Sequence, residues 1–297
     1  MELVEQLDGY HFDDRWLVQV AGTPRVVWAY WHYHPPWFAD TAALTRAWVG
    51  PIHPRISTIH QIAVHERALL VVVDDDRGPT LAEAAAQLED PTERERWVVA
   101  QIAAIADGLA ALRTRDPAFI YAGLLAQRFY VDEAGHARLR EPRQSAPAPP
   151  TTRTGGADLA GLLYLSPEQI MSRPLTPPHE VFGLAVNLYL ALADRHPFRT
   201  DDGPMAVAMR VLQQPHDPLE TRIPELARVI DRALAKEPAA RFPDPAALAA
   251  ELRRWVPDAA DYDAVISDRL VGWRATLPKS PPGPCYLTWD DVAPLLR

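Results

Sequence analysis

The chain has 297 residues, 48% hydrophobic and 23% charged, enough apolar material for one large core or two modest ones. A net charge of −9 leaves no basic excess to neutralise a phosphate backbone, which argues against nucleic acid as the main partner. The single cysteine, Cys285, excludes an internal disulfide and a cysteine-built zinc site, and it fits a reducing compartment.

The opening stretch, "MELVEQLDGYHFDD", is acidic and has no apolar signal core. "RWLVQV" and "RVVWAYWHYH" are rich in β-branched and aromatic residues, with turn chemistry in "AGTP" between them, and are predicted to be paired strands. His32 and His34 stand two apart, on one face of a strand, but no third metal ligand accompanies them, so no metal site is expected. "FADTAALTRAW" is predicted to be a short helix. "STIHQIAVH" and "ALLVVVDD", separated by Glu66 and Arg67, form a second hairpin. The acids Asp74, Asp75 and Asp76 are read as a solvated hinge rather than a cation site.

Helical character follows. Thr80 and Glu83 make a capping box, and "TERERWVVAQIAAIADGLAALRTR" carries Trp97, Val98, Ile102, Ile105, Leu109 and Leu112 at helical spacing. "YAGLLAQR" leads into "FYVDEAGHARL", a hairpin turning at Glu133-Ala134-Gly135, with His136 expected at the surface. "EPRQSAPAPPTTRTGGAD" is a low-complexity loop. "VFGLAVNLYLALA", Val181 to Ala193, is apolar on nearly every side and is predicted to be a central buried helix; it is too short for a bilayer and contains Asn187. Amphipathic segments and a proline-rich tail complete the chain, which is expected to be soluble and cytoplasmic.

This order resembles the protein kinase fold, in particular the bacterial Ser/Thr kinases of the eukaryotic type. "HPRI" resembles the turn after the C helix, and "DDDRGPTLAE" the hinge running into the D helix. Ser166, Pro167 and Glu168 stand where the family has A-P-E, Glu180 where its F helix has an aspartate, and "RALAKEPAARF" resembles its late helix. The resemblance covers roughly residues 8 to 256 and implies an α+β, two-lobed kinase-like fold. Residues 1–78 would be a small β-rich lobe, 79–256 a larger helical lobe and 257–297 an extension. It also implies that Arg241 pairs with Glu168 and that Glu168, Arg241 and Glu180 are structural.

The same resemblance exposes what is missing. Phosphoryl transfer is mainly positioning and charge neutralisation, by a glycine loop, a third-strand lysine, a C-helix glutamate, an Asp base and metal-holding Asn and Asp residues. In "YAGLLAQR", Tyr121 and Ala122 replace the His-Arg pair, Gly123 the base, Leu125 the loop lysine and Arg128 the metal-binding asparagine. The D-F-G position reads Glu141-Pro142-Arg143. The lysine position falls near Ala29 or Tyr30, and no lysine precedes Lys236. Asp40 is the only acid in the C-helix segment, and Gly9 and Gly22 are isolated. Such charge-stabilising groups are worth about 10²–10³ each in rate.

The expectation is a pseudokinase without cofactor or metal that binds a protein partner as a scaffold or allosteric regulator, with Trp28, Tyr30 or Trp31 crowding the nucleotide pocket. The alternatives are a divergent phosphotransferase or nucleotidyltransferase, in which Glu141, Asp132, Glu133 or Arg128 is recruited, and a nucleotide binder without turnover. Thr151, Thr152 and Thr154 are candidate phosphorylation sites, weighed against an unmodified loop. In the tail, Tyr286, Trp289, Leu295 and Leu296 either contact a partner or dock back on the same chain.

Overall fold

The computed structural model describes residues 1–10, 13–31, 46, 48–65, 68–140, 163–256, 266–269 and 289–296. The small lobe is a five-stranded antiparallel sheet of β1 (Glu2–Tyr10), β2 (Asp13–Val20), β3 (Thr23–Trp31), β4 (Ile59–His65) and β5 (Ala68–Asp74), in the order β1-β2-β3-β5-β4. β2 and β3 join through Ala21 and Gly22, both at positive φ (51° and 80°), the twist that a two-residue hairpin needs. β1 is a correction to the sequence reading, which assigned no strand there. It is an edge strand with two register shifts, and its residues from Met1 to Val4 are exposed, so it carries no apolar alternation to read. The helix expected over "FADTAALTRAW" lies almost wholly outside the described residues, as do His32, His34 and Asp40.

The larger lobe begins with α1 (Leu81–Ala85), whose Thr80–Glu83 capping box is formed in both directions. α2 (Pro91–Arg115) starts at the Asp90 cap with Pro91 in its first turn. Among the described helices α2 is long and apolar enough to cross a membrane, and it is largely buried within the protein. The hairpin of β6 (Phe129–Val131) and β7 (Ala137–Leu139) follows. It also reaches the small lobe: Leu139 donates its amide to the Arg55 carbonyl (2.7 Å), and Ser57 donates to the Leu139 carbonyl (2.8 Å). Then come α3 (Pro167–Ile170), α4 (Pro177–Ala193), α5 (Pro204–Gln213), α6 (Pro224–Ala233), α7 (Pro245–Trp255) and, at the end of the chain, α8 (Trp289–Val292). α4 is buried over nearly its whole length and packs against α2, α6 and α7, the place its uninterrupted apolar sequence demands. The result is the two-lobed α+β, kinase-like architecture that the resemblance implies, with β6–β7 and the hinge between the lobes.

Candidate functional site

The loop Tyr121–Arg128 is held almost entirely through its backbone. Tyr121 donates its amide to Glu180 Oε1 (2.8 Å), the Ala122 carbonyl accepts from Gln169 Nε2 (2.8 Å), and the Leu124 carbonyl accepts from Asn187 Nδ2 (2.9 Å). Leu124 rests on Gly183 of α4, where a Cβ would come 2.8 Å from the Leu124 Cβ, so the helix needs glycine there. The Tyr121 ring is buried edge-on to Phe119, and its hydroxyl donates to the Arg140 carbonyl (3.2 Å). Glu180, fully buried on α4, also pairs with Arg113. Burial pushes its carboxyl up to about 7, against the opposing pull of Arg113 and the Tyr121 amide.

What this frame presents is chemically sparse. Gly123, at the base position, has no side chain, and a Cβ there would meet nothing within 4 Å. Leu125 is half-buried, and Arg128 is half-buried at the end of a 3₁₀ turn over Ala126–Arg128. Glu141, Thr151, Thr152 and Thr154 lie outside the described residues. The chain's first lysine, Lys236, lies in the larger lobe with its Nζ 3.9 Å from the Phe198 ring, and burial lowers its pKa to about 8. On β3 the side chains of Val26 and Trp28 face the main core, while Ala29 faces the opposite side of the sheet with Trp16. Ala29 therefore points to the sheet face opposite the main core. The side chain of Tyr30 lies outside the description.

The space between the lobes holds a compact cluster. Asp76, just after β5, is 0% exposed. It accepts from the Trp28 indole Nε1 on β3 (3.1 Å) and from Arg15 Nη2 on β2 (3.2 Å), and it pairs with Arg140, which follows β7. Arg15 lies over the Trp28 ring, 4.0 Å from its centroid, with Arg140 at 5.3 Å. Trp28, 5% exposed, is thus flanked by two guanidinium groups and tied by its N–H to a buried carboxylate. Each desolvated cation–π contact contributes about 2 kcal/mol.

Asp74 makes a second tie. It pairs with Arg25 of β3 (3.4 Å), His60 of β4 (2.8 Å) and Arg138 of β7 (2.8 Å), and it accepts the Thr58 amide (3.0 Å). Burial raises its pKa, but the Thr58 amide, His60 and Arg138 outweigh that and leave it below the ordinary value. The acid run is therefore not the solvated hinge expected from the sequence. Two of its three carboxylates clamp the small lobe to the β6–β7 hairpin, and Asp75 pairs with Arg77 (2.7 Å). Three consecutive acids look hydrated until their arginine partners, distant in the chain, are placed. Neither Arg15 nor Arg140 carries a local signal of this role.

Glu168 and Arg241 form a buried bidentate pair at 2.7 and 2.9 Å. Arg241 also donates to the carbonyls of Ala235 (2.7 Å), Pro178 (3.0 Å) and Lys236 (3.0 Å). Burial raises the Glu168 carboxyl, but Arg241 more than compensates and holds it below its ordinary value. Ser166 caps α3, and its hydroxyl lies 2.9 Å from His179 Nδ1, whose pKa burial lowers to about 4. His136 is half-exposed beside Asp132 (4.0 Å). Among the described residues there is no group of three or more His, Cys, Asp or Glu side chains able to hold a metal.

In the tail, Tyr286 lies outside the description. Leu295 is exposed, whereas Leu296 is buried and half-buried Trp289 lies against Trp16 (6.3 Å between centroids). In the structure Leu296 and Trp289 pack on the outer face of the chain's own small-lobe sheet.

No family model matches the chain. It is 34% identical over 96 residues to the serine/threonine-protein kinase PknA of Mycobacterium tuberculosis, covering 32% of this chain and 22% of that protein. It is 36% identical over 102 residues to serine/threonine-protein kinase PknA of Corynebacterium glutamicum, covering 34% of this chain and 21% of that protein. The matches thus span about a third of the chain and about a fifth of the relatives' own length. Partial homology to bacterial Ser/Thr kinases and a two-lobed kinase-like fold point to the same kinship.

Proposed function

We propose that the chain is a kinase-like module without phosphotransfer, working by binding a protein partner as a scaffold or allosteric regulator. The observation that carries this reading is the cluster of Trp28, Asp76, Arg15 and Arg140, whose side chains take up interlobe space beside the hinge, where the resemblance would lodge a nucleotide. The loop Tyr121–Arg128 supports it as well, since it offers no carboxylate for a base and a cation where a metal ligand is required. Retention of the Glu168–Arg241 pair and of the backbone frame around the loop suits a protein kept for its shape.

Thermal unfolding with ATP, with and without Mg²⁺ or Mn²⁺, tests the reading together with a labelled-ATP phosphotransfer assay. The expected result is no saturable shift and no transfer. Autophosphorylation abolished by Glu141→Ala would overturn it in favour of a divergent transferase, the reading favoured by partial identity to proteins named as kinases. A metal-dependent shift without turnover would instead make nucleotide a structural ligand.

A further inference from the structure

All six residues from Ala68 to Val73 of β5 are buried, so both faces of this strand are covered. Leu69, Val71 and Val73 join the main core. On the opposite face Ala68, Leu70 and Val72 combine with Trp16, Val18, Val27 and Ala29 into a second apolar cluster, which Val292 and Leu296 close, with Trp289 packed against it. Asp290, Pro294 and Leu295 are exposed, so the segment turns one side to the sheet and the other to solvent. A second stretch of the same extension touches the other lobe. Ile266 is buried in the main core, the Ser267 hydroxyl donates to the Glu133 carbonyl in the β6–β7 turn (2.5 Å), and Arg269 donates to the Gln87 carbonyl just beyond α1.

We propose that the outer face of the small-lobe sheet is a docking surface for a short amphipathic helix, and that its resident occupant is this chain's own 289–296 segment, which with 266–269 straps the two lobes together. An open apolar face containing Trp16, Val18, Val27, Leu70 and Val72 is an association site by its chemistry. Tethering places the occupant there at high effective concentration. A partner that needs this face must first displace the tail, so partner binding and interlobe freedom are coupled. This inference stands independently of whether the cleft accepts nucleotide.

Hydrogen exchange on the full chain tests it, comparing wild type with Val292→Asp/Leu296→Asp, with the milder Trp289→Ala, and with the solvent-facing control Leu295→Asp. The expected result is exchange at least tenfold faster in β2, β3 and β5 and around Glu133 and Gln87 in the double variant. A smaller change of the same pattern is expected in Trp289→Ala, and none in the control. A synthetic peptide of residues 285–297, added to the double variant, restores protection, or restores folding if that variant does not fold unaided. Unchanged sheet exchange, loss confined to 289–296, or no rescue by the peptide overturns the proposal. Wild type is expected to sediment as a monomer; a dimer dissociated by the double substitution would assign the segment to a second copy and overturn docking in cis.

Discussion

The Trp28 indole N–H is bonded to the carboxylate of Asp76 at 3.1 Å, joining the third strand to the segment that links the lobes. The bond is buried, and the same carboxylate serves Arg15 and Arg140, so one side chain organises contacts from β2, β3 and the end of β7. Removing it leaves two guanidinium groups and an indole without their shared acceptor. Asp76→Ala is expected to destabilise the fold by about 3–5 kcal/mol. Trp28→Ala is expected to fall in the same range, about 3–5 kcal/mol, through the cavity it leaves. Urea denaturation at neutral pH measures both. A loss below 1 kcal/mol for Asp76→Ala would show that the cluster is solvated in solution.

Gly123→Asp returns a carboxylate to the base position. Open space surrounds the added Cβ, and Gly123 is not at a positive φ, so stability is expected to stay within about 1 kcal/mol of wild type. Phosphotransfer is expected to stay undetectable, because Arg128 still stands where a metal ligand is needed and the small lobe still has no lysine. The combination Gly123→Asp/Arg128→Asn is the sharper assay. Activity from that pair alone would overturn the reading of a module without phosphotransfer.

The Glu168–Arg241 pair joins α3 to the segment before α7 with both groups buried. Glu168→Ala strands a buried guanidinium, with an expected loss of about 3–5 kcal/mol by chemical denaturation. Its pH dependence has a definite sign. The folded pKa lies below the ordinary carboxylate value, so the stabilisation is present above the unfolded pKa and is lost as pH falls through the folded one. The alanine variant should therefore lose less stability than wild type on acidification below about pH 4.

Glu180 has the opposite sign. Its folded pKa is raised to about 7. Between the unfolded value and that pKa the unfolded chain binds fewer protons, so stability falls as pH rises across this window. Glu180→Gln keeps an acceptor for the Tyr121 amide and cannot ionise. Its stability is expected to be flatter than wild type between about pH 4.5 and 7, differing in slope by up to about 3 kcal/mol over the window. Parallel profiles would place the Glu180 charge under full compensation by Arg113.

Ala21 sits at φ 51° in the β2–β3 turn, a conformation that favours glycine or asparagine. Ala21→Asn is expected to raise stability by about 0.5–1 kcal/mol, read as a shift of the thermal midpoint without change in the exchange pattern of β2 and β3.

The larger lobe is legible because its information is local. The Thr80–Glu83 box, the prolines that open α2 and α4, and the all-round apolar face of α4 each specify an element within a few residues. Ser166–Pro167–Glu168 and Arg241 are legible through their spacing in a familiar order. The small lobe hides more. β1 lies at an edge, where neither face must be apolar, and Asp76 looks hydrated because three acids in a row ordinarily are. Trp28 is expected near the cleft, but its partners Arg15 and Arg140 come from β2 and from the segment after β7, far apart in the chain, and only the tertiary fold brings them to one carboxylate.

The hydroxyl of Tyr121 rests on the carbonyl of Arg140, and the guanidinium of Arg140 rests on Asp76. The loop where the resemblance places catalysis and the buried cluster around Asp76 are therefore joined through one residue, Arg140. A backbone shift at Arg140 would therefore reach both the carboxylate of Asp76 and the hydroxyl of Tyr121.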